Sequence, residues 1–319
     1  MNILSEENIK KIANQKIAFD AVEQAFIAAY QKSGNIFPVV HGRGCDEGNI
    51  FSVKSGNLTD LSISGLKTGS YWPNNHLKNI PNHGTTTILL DEETGFVRAV
   101  LNAGYLNGLR TAAANAVASK SLARSDANTL GVLGAGHQAI FEIKAIYAIR
   151  DINKVLIHSR NKKTVSKAMM ELAKGGIFAE YADKQAVCSR ADILVTVTGA
   201  REALFDRTWI KPGTHISAMG ADQPGKQELP VELVLNSCLY ADYPAQSRVN
   251  GEFEAAFGKN PDLDITAIGA VLVGDDNGRM DDEQITIFDS SGIALQDLCV
   301  AKAVLDIAIE QGLAQEVEF

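Results

Sequence analysis

The stretch LGVLGAGHQA, residues 130–139, places Gly134, Gly136 and Ala139 at the G-x-G-x-x-A spacing of a dinucleotide fingerprint. Each position answers a physical need. The first glycine makes a tight strand-to-helix turn. The second lets the backbone approach a pyrophosphate, and the small third residue lets the helix pack closely on its strand. The helix that follows offers unpaired N–H groups and a positive dipole end to phosphate. Four further stretches combine special backbone residues with charge or polar groups: GLKTGSYWPNN (65–75), NGLRTAA (107–113), AMGADQPGKQEL (218–229) and FDSSGIALQDL (288–298). They bring Lys67, Arg110 and Asp222 forward as candidates for chemistry on a small charged molecule. A lone Lys, Arg or Asp is usually a solvated surface charge. Lys67, however, lies in an apolar-flanked strand, and Arg110 stands where an Ala-rich helix is predicted to open.

The elements that must position these residues follow from periodicity. Apolar run 129–133 is a strand, 138–150 a helix and 154–158 a second strand, so the fingerprint sits in a strand–turn–helix–strand context. Alternation continues with strands at 179–181, 191–198, 214–219, 238–241 and 284–288, and helices at 162–174 and 184–189. The near-continuous apolar run 191–198 is that of a strand covered on both faces. Before the fingerprint the pattern differs. Residues 2–33 read as two helices, with Phe19, Val22, Ala25, Phe26 and Ala29 on one face. Short strands at 37–40, 49–53, 62–71, 85–91 and 97–102 follow, and the turn 91–95 ends on Gly95 as in a hairpin. The small-residue helix 111–122 joins this mixed antiparallel sheet to the later domain. The long apolar helix 293–311 has nothing left to cover in the dinucleotide domain and is expected to return to the first one.

The fold class is therefore α/β: a Rossmann dinucleotide-binding domain plus an α+β substrate and dimerisation domain that takes back the C-terminal helix. The expected boundaries are residues 1–112 with 300–319 for the α+β domain and 113–299 for the NAD(P)-binding domain, a two-domain split suited to a chain of 319 residues. A formal charge of −8 with no dense basic cluster argues against nucleic acid or an anionic membrane surface as partners. The N-terminus MNILSEENIKK lacks the apolar core of a signal peptide, and no apolar run approaches the ~20 residues of a membrane span. Cys45, Cys188, Cys238 and Cys299 are scattered, without metal-ligand spacing, which reads as reduced thiols in a cytoplasmic protein with no metal site.

Taken together, GAGHQA, GSYWPNN, THISAMGADQPGKQEL, TIFDSSG…LQDL, the FPVV stretch near Phe37 and the closing EVEF resemble the ornithine cyclodeaminase/μ-crystallin family nearly end to end. The similarity is strongest to the branch that reduces iminosuccinate. The resemblance implies a homodimer and chemistry at an imine derived from an amino acid. It implies that Lys67 and Arg110 bind the substrate carboxylate and that Asp222 faces the substrate nitrogen, with Lys67 and Asp222 the catalytic pair. Residue chemistry agrees: a guanidinium clamp and an ammonium fix the orientation of a 2-imino acid, and a carboxylate beside the iminium stabilises it and relays a proton. Asn75 joins the substrate set. Where many members carry a third carboxylate-binding arginine, this chain offers His41 and Arg43, and the sequence does not choose between them. Where many members have a methionine-proline or methionine-glycine pair, this chain has Lys54-Ser55-Gly56; strand alternation allows Lys54 to point outward or into the pocket, and the resemblance implies the inward orientation, which suits a second substrate carboxylate.

The cofactor set implied is Gly134, Gly136, His137 and Gln138 at the fingerprint, Ser159 and Arg160 after the second strand, Thr196, Thr198, Met219, Gly220 and Ser291 at later strand ends, and Thr111. No carboxylate occupies the end of the second strand (HSRNKK, 158–163) to read a ribose 2′-OH, and its basic residues suit a 2′-phosphate. Charge thus points to NADP and the resemblance to NAD. The leading function is an NAD(P)H-dependent reductase of a 2-imino acid, iminosuccinate to aspartate first. The alternatives are a pyrroline-2-carboxylate reductase or alanine dehydrogenase, a redox-neutral ornithine cyclodeaminase, and last a non-catalytic binder.

Overall fold

In a computed structural model, residues 1–318 are described, and the final residue of the EVEF stretch lies outside them. The chain divides into two compact units, Met1–Arg110 with the residues from Ile293 on, and Thr111–Gly292. The first boundary falls inside the helix Gly104–Leu122. The second falls ahead of the expected residue 300, because Ala294–Glu310 is a single helix and belongs whole to the first unit. No helix among the described residues is long and apolar enough to cross a membrane.

The first unit is built on an eight-stranded sheet. Strands Val97–Asn102, His83–Leu90, Ile63–Tyr71, Ile50–Leu58 and Gly34–Ile36 run in that order, all antiparallel, and Val40–Arg43 also pairs with Ile50–Leu58. The hairpin predicted at residues 91–95 links His83–Leu90 to Val97–Asn102, with Gly95 at positive φ. Successive side chains alternate across a sheet, so register decides which residues share a face. Gly56 stands opposite Gly65, Lys54 opposite Lys67, and Lys67 opposite Thr87. This inner face carries Leu58, Ile63, Leu89, Ala99 and Leu101 as core and receives the helix Ala294–Glu310, which packs in turn on the helix Gln15–Gln31. The glycines permit that contact. A Cβ on Gly56 or Gly65 would come within 3.0 Å of Leu295 or Leu298, respectively. The helix therefore lies close to the backbone, and its first turn reaches Lys67.

The second unit is a parallel sheet in the order Ala179–Tyr181, Lys154–His158, Thr129–Leu133, Ile193–Thr196, His215–Ala218, Thr286–Asp289, Cys238–Ala241, Thr266–Ala267. The order reverses between Thr129–Leu133 and Ile193–Thr196, the switch point at which such sheets bind ligands beyond their strand ends. The central strands are buried along nearly their whole length, including the polar His215 and Ser217 of His215–Ala218.

Several elements differ from the sequence expectation. Residues 2–4 form a strand, not helix, because they pair with both Val97–Asn102 and Gln315–Glu316. The strand expected over 37–40 is split into Gly34–Ile36 and Val40–Arg43 around Pro38, which has no N–H for a ladder. The helix expected to open at Thr111 begins at Gly104, so Arg110 lies inside it; buried Leu106 and Leu109 extend its packed face past Gly108. The strand expected over 49–53 continues to Leu58, which places Lys54 inside it. Helices Pro244–Asn250, Glu254–Lys259 and Ile268–Val273 carry no clear periodicity and were not expected.

Candidate active site

In the first unit, three elements converge on two buried cations. Lys67 and Arg110 are 6% and 8% exposed, against the usual exposure of such residues, so each needs partners. Lys67 Nζ donates to Asn107 Oδ1 at 2.8 Å and to Asp297 Oδ1 at 3.2 Å. Arg110 donates through one terminal nitrogen to Gln296 Oε1 and through the other to Asn107 Oδ1, each at 3.0 Å. Its Nε lies 3.0 Å from Asp297 Oδ1, an ion contact without hydrogen-bond alignment. Asn107 and Arg110 are three apart on one helix and so share a face. Gln296 and Asp297 come from the first turn of the helix Ala294–Glu310, and the Gln296 carboxamide also accepts from Ile293 N.

Electrostatics follows from this crowding. Burial, with Arg110 and Lys54 nearby, lowers the Lys67 ammonium to about 7, although Asp297 opposes the shift. Burial alone would raise Asp297, but Arg110, Lys67 and Lys54 outweigh it and hold the carboxyl below its usual range. Among the described residues these contacts engage one N–H on each terminal nitrogen of Arg110 and two on Lys67, and the donors that remain are of the kind that bind a carboxylate.

Register places the other substrate candidates. Lys54 is directly opposite Lys67 on the adjacent strand and so on the same face, half-buried. His41 and Arg43 stand opposite Ser52 and Ile50, again on that face, at its exposed end. Asn75 lies in the short helix Pro73–Lys78, and its amide donates to the Pro81 carbonyl.

In the second unit, Gly134 has φ +126°, and a Cβ there would meet the Val197 carbonyl at 2.5 Å. Only glycine fits that turn. Gly136 is the N-cap of the helix His137–Ile149 without a side-chain cap, and a Cβ on it would meet nothing within 4 Å. Free helix N–H groups facing open space above a glycine suit a pyrophosphate, so the residues present fit a dinucleotide. His137 is exposed beside them, and Gln138 donates to Glu142. Ser159 and Arg160 follow the second strand, where His158 stacks on Tyr181 and Lys162 lies over the Tyr181 ring. Thr196 and Met219 are buried at strand ends, and Thr111 is half-buried in its helix. Ser291 is buried too, its hydroxyl donating to Asp242 and accepting from Gln246.

Asp222 is half-exposed on the loop after His215–Ala218 and pairs with Lys226 at 2.5 Å. Glu228, fully buried, organises that loop by accepting from Thr198 N and Gly220 N, and Glu252 accepts from Glu228 N and Leu229 N. Asn107, Gln296, Asp297, Glu228 and Glu252 escaped the sequence reading. The signal for Asp297 was present, as a carboxylate in the first turn of an otherwise apolar helix, but its partner lies 230 residues away.

These features define a two-unit α/β protein, with a dinucleotide fingerprint at a strand-to-helix turn of one unit and a buried Lys67–Arg110–Asp297 cluster in the other. The chain belongs to the ornithine cyclodeaminase/mu-crystallin family, whose profile matches residues 2–312. It is similar to the iminosuccinate reductase of Paracoccus denitrificans, 38% identical over 320 residues and covering 100% of both chains. The crystal structure of that organism's iminosuccinate reductase in complex with NAD+ matches with a TM-score of 0.95 at 37% identity, over 100% of this chain and 99% of that one. An archaeal alanine dehydrogenase dimer with bound NAD matches with a TM-score of 0.93 at 35% identity, over 100% and 99%. The Delta(1)-pyrroline-2-carboxylate reductase of Thermococcus litoralis in complex with NADH and L-proline matches at 0.94 and 27% identity, over 99% and 100%.

Gly136→Val is expected to abolish dinucleotide binding while the protein stays folded, since the branched side chain enters space that no protein atom occupies. Cofactor titration by fluorescence, with circular dichroism as the folding control, checks this; retained affinity contradicts the assignment.

Proposed function

We propose that the protein is an NAD(P)H-dependent reductase of a 2-imino dicarboxylate, with iminosuccinate to aspartate as the reaction. The observation that carries this is the cross-strand pairing of Lys54 with Lys67. Lys67 and Arg110 meet the Asp297 carboxylate, and Lys54 brings a further cationic side chain to the same face, which suits a second carboxylate on the substrate. The relatives named for iminosuccinate, alanine and pyrroline-2-carboxylate chemistry support the imino-acid class.

In this reading Arg110 and Lys67 hold the carboxylate next to the imine carbon, and Lys54 takes the distal carboxylate, with His41 or Arg43 at the exposed end of the face. Gly134 and Gly136 would hold the pyrophosphate of a reduced dinucleotide, which when bound would supply the hydride for the imine carbon. Asp222, its charge moderated by Lys226, is assigned to the substrate nitrogen: its carboxylate stabilises the protonated imine, hydride addition turns C=NH2+ into CH–NH2, and the amine then takes up a proton from water relayed by the Asp222 carboxyl group. The orientation set by the cation pair converts a loose encounter into a held geometry.

Substrate choice is tested with iminosuccinate, pyruvate plus ammonia, and pyrroline-2-carboxylate, following NAD(P)H oxidation. A charge-assisted contact is worth about 1.5–3 kcal/mol, so Lys54→Met is expected to lower kcat/KM for iminosuccinate by roughly ten- to over a hundred-fold. Pyrroline-2-carboxylate reduction should change little or improve. Equal losses on both substrates reject the dicarboxylate reading, and a wild type that ignores iminosuccinate turns it to the cyclic imine.

The basic edge after the second strand is read as admitting NADPH as well as NADH. Arg160→Ala is expected to lower kcat/KM with NADPH by about ten-fold or more, the worth of one charge-assisted contact, and with NADH far less. Equal losses show that Arg160 does not read the 2′ position.

We also infer a homodimer. The outer face of the first sheet carries a row of half-buried apolar residues, Leu66, Ile88 and Val100, standing opposite one another, with Val40 and Phe51 59% and 38% exposed near its edge. Such a face on a sheet suits a self-complementary contact. Sedimentation at micromolar concentration is expected to give a dimer, and Leu66→Glu a monomer; a wild-type monomer rejects it.

A further inference from the structure

The cation pair is held by a residue that neither motif spacing nor the substrate reading accounts for. Asp297 is 6% exposed, and a single oxygen, Oδ1, meets both Lys67 Nζ at 3.2 Å and Arg110 Nε at 3.0 Å. Its other oxygen, Oδ2, is buried without a hydrogen-bond partner. As a device for stability alone this is a poor arrangement, because buried ion pairs seldom outdo apolar packing and an unpaired buried oxygen carries a desolvation cost. Its effect on the neighbouring cations is more specific. Without a counter-ion, two positive groups in a dry site repel each other, and the one that can deprotonate does so. Lys67 is that group, since a guanidinium stays charged.

We propose that Asp297 is a positioning residue for the reaction: its shared oxygen fixes Lys67 and Arg110 side by side and favours the charged form of Lys67, leaving the pair net positive for the substrate carboxylate. This rests on the reading of Lys67 and Arg110 as carboxylate ligands. The charged groups that weigh most on Lys67 are Arg110 from the helix Gly104–Leu122, Asp297 from the helix Ala294–Glu310 and Lys54 from the neighbouring strand, and of these three Asp297 favours the charged ammonium. The neutral contacts, Asn107 and Gln296, accept hydrogen bonds but offset no charge. Burial and the neighbouring cations already lower Lys67 to about 7, and losing the anion at 3.2 Å shifts it further toward the uncharged form.

The test is Asp297→Asn, which preserves shape and an acceptor oxygen while removing the charge. The variant is expected to raise KM for the imino acid by about ten-fold or more, the loss of one charge-assisted ligand, with the nicotinamide KM unchanged. The alkaline limb of kcat/KM should move to lower pH. A KM and an alkaline limb equal to those of wild type overturn the proposal. The Lys67→Met and Asp297→Asn variants and their double form a thermodynamic cycle read by thermal unfolding, which needs no substrate. The double variant restores the charge balance and is expected to regain at least half of the Tm lost by Asp297→Asn alone, including where that single variant fails to fold. A double variant as unstable as Asp297→Asn, or more so, assigns Asp297 a packing role and overturns the proposal. If wild type reduces no imino acid, the functional reading fails, and the cycle still reports on Asp297.

Discussion

The first unit depends on one constraint: two cations are buried where a single carboxylate oxygen must serve both. Lys67 and Arg110 come from a strand and a helix, and Asp297 from the other end of the chain. A buried ammonium without a partner gives up its proton, and a buried guanidinium cannot do so. The three groups therefore form or fail together. The surrounding structure is arranged so that they meet, with Asn107 bridging both cations and Gln296 holding the far side of the guanidinium.

That meeting depends on backbone proximity. Gly56 and Gly65 lie opposite each other and leave room for Leu295 and Leu298, so the helix Ala294–Glu310 rests directly on the sheet. Lys67 is two residues beyond Gly65 and hence on the same face, which is why the first turn of that helix delivers Asp297 to it. The same alternation puts Lys54 on the face of Lys67, the placement on which the proposed dicarboxylate reading rests. Substrate preference in this reading is a consequence of strand register.

The second unit solves a different problem. Its strand ends carry backbone groups that only small residues can present, Gly134 through positive φ and Gly136 through open space above a helix N-terminus. Beneath the Asp222 loop lie carboxylates with no cation among their hydrogen-bond partners. Burial raises Glu228, and raises Glu252 and Asp289 further, each in part through the other acidic groups nearby. Glu228 and Glu252 accept backbone N–H groups of the loop, so its shape is set by hydrogen bonds rather than by apolar packing.

The sequence by itself determined the fingerprint turn, the parallel α/β unit, the antiparallel sheet and the return of the last helix to the first unit. These rest on local signals: glycine spacing, apolar runs of strand length and a 3.6-residue period act over a few residues and leave their mark in order along the chain. It also singled out Lys67 and Arg110, which the structure buries, through their unusual setting. It missed the strand at residues 2–4, the split at Pro38 and the true start of the helix that holds Arg110, because each is decided by pairing or packing with distant segments. Only the tertiary structure decided that Lys54 shares a face with Lys67 and that Asp297 joins the two cations. Register and burial arise between segments far apart in the chain, and the electrostatics of a buried group is set by whichever neighbours folding brings within a few ångströms.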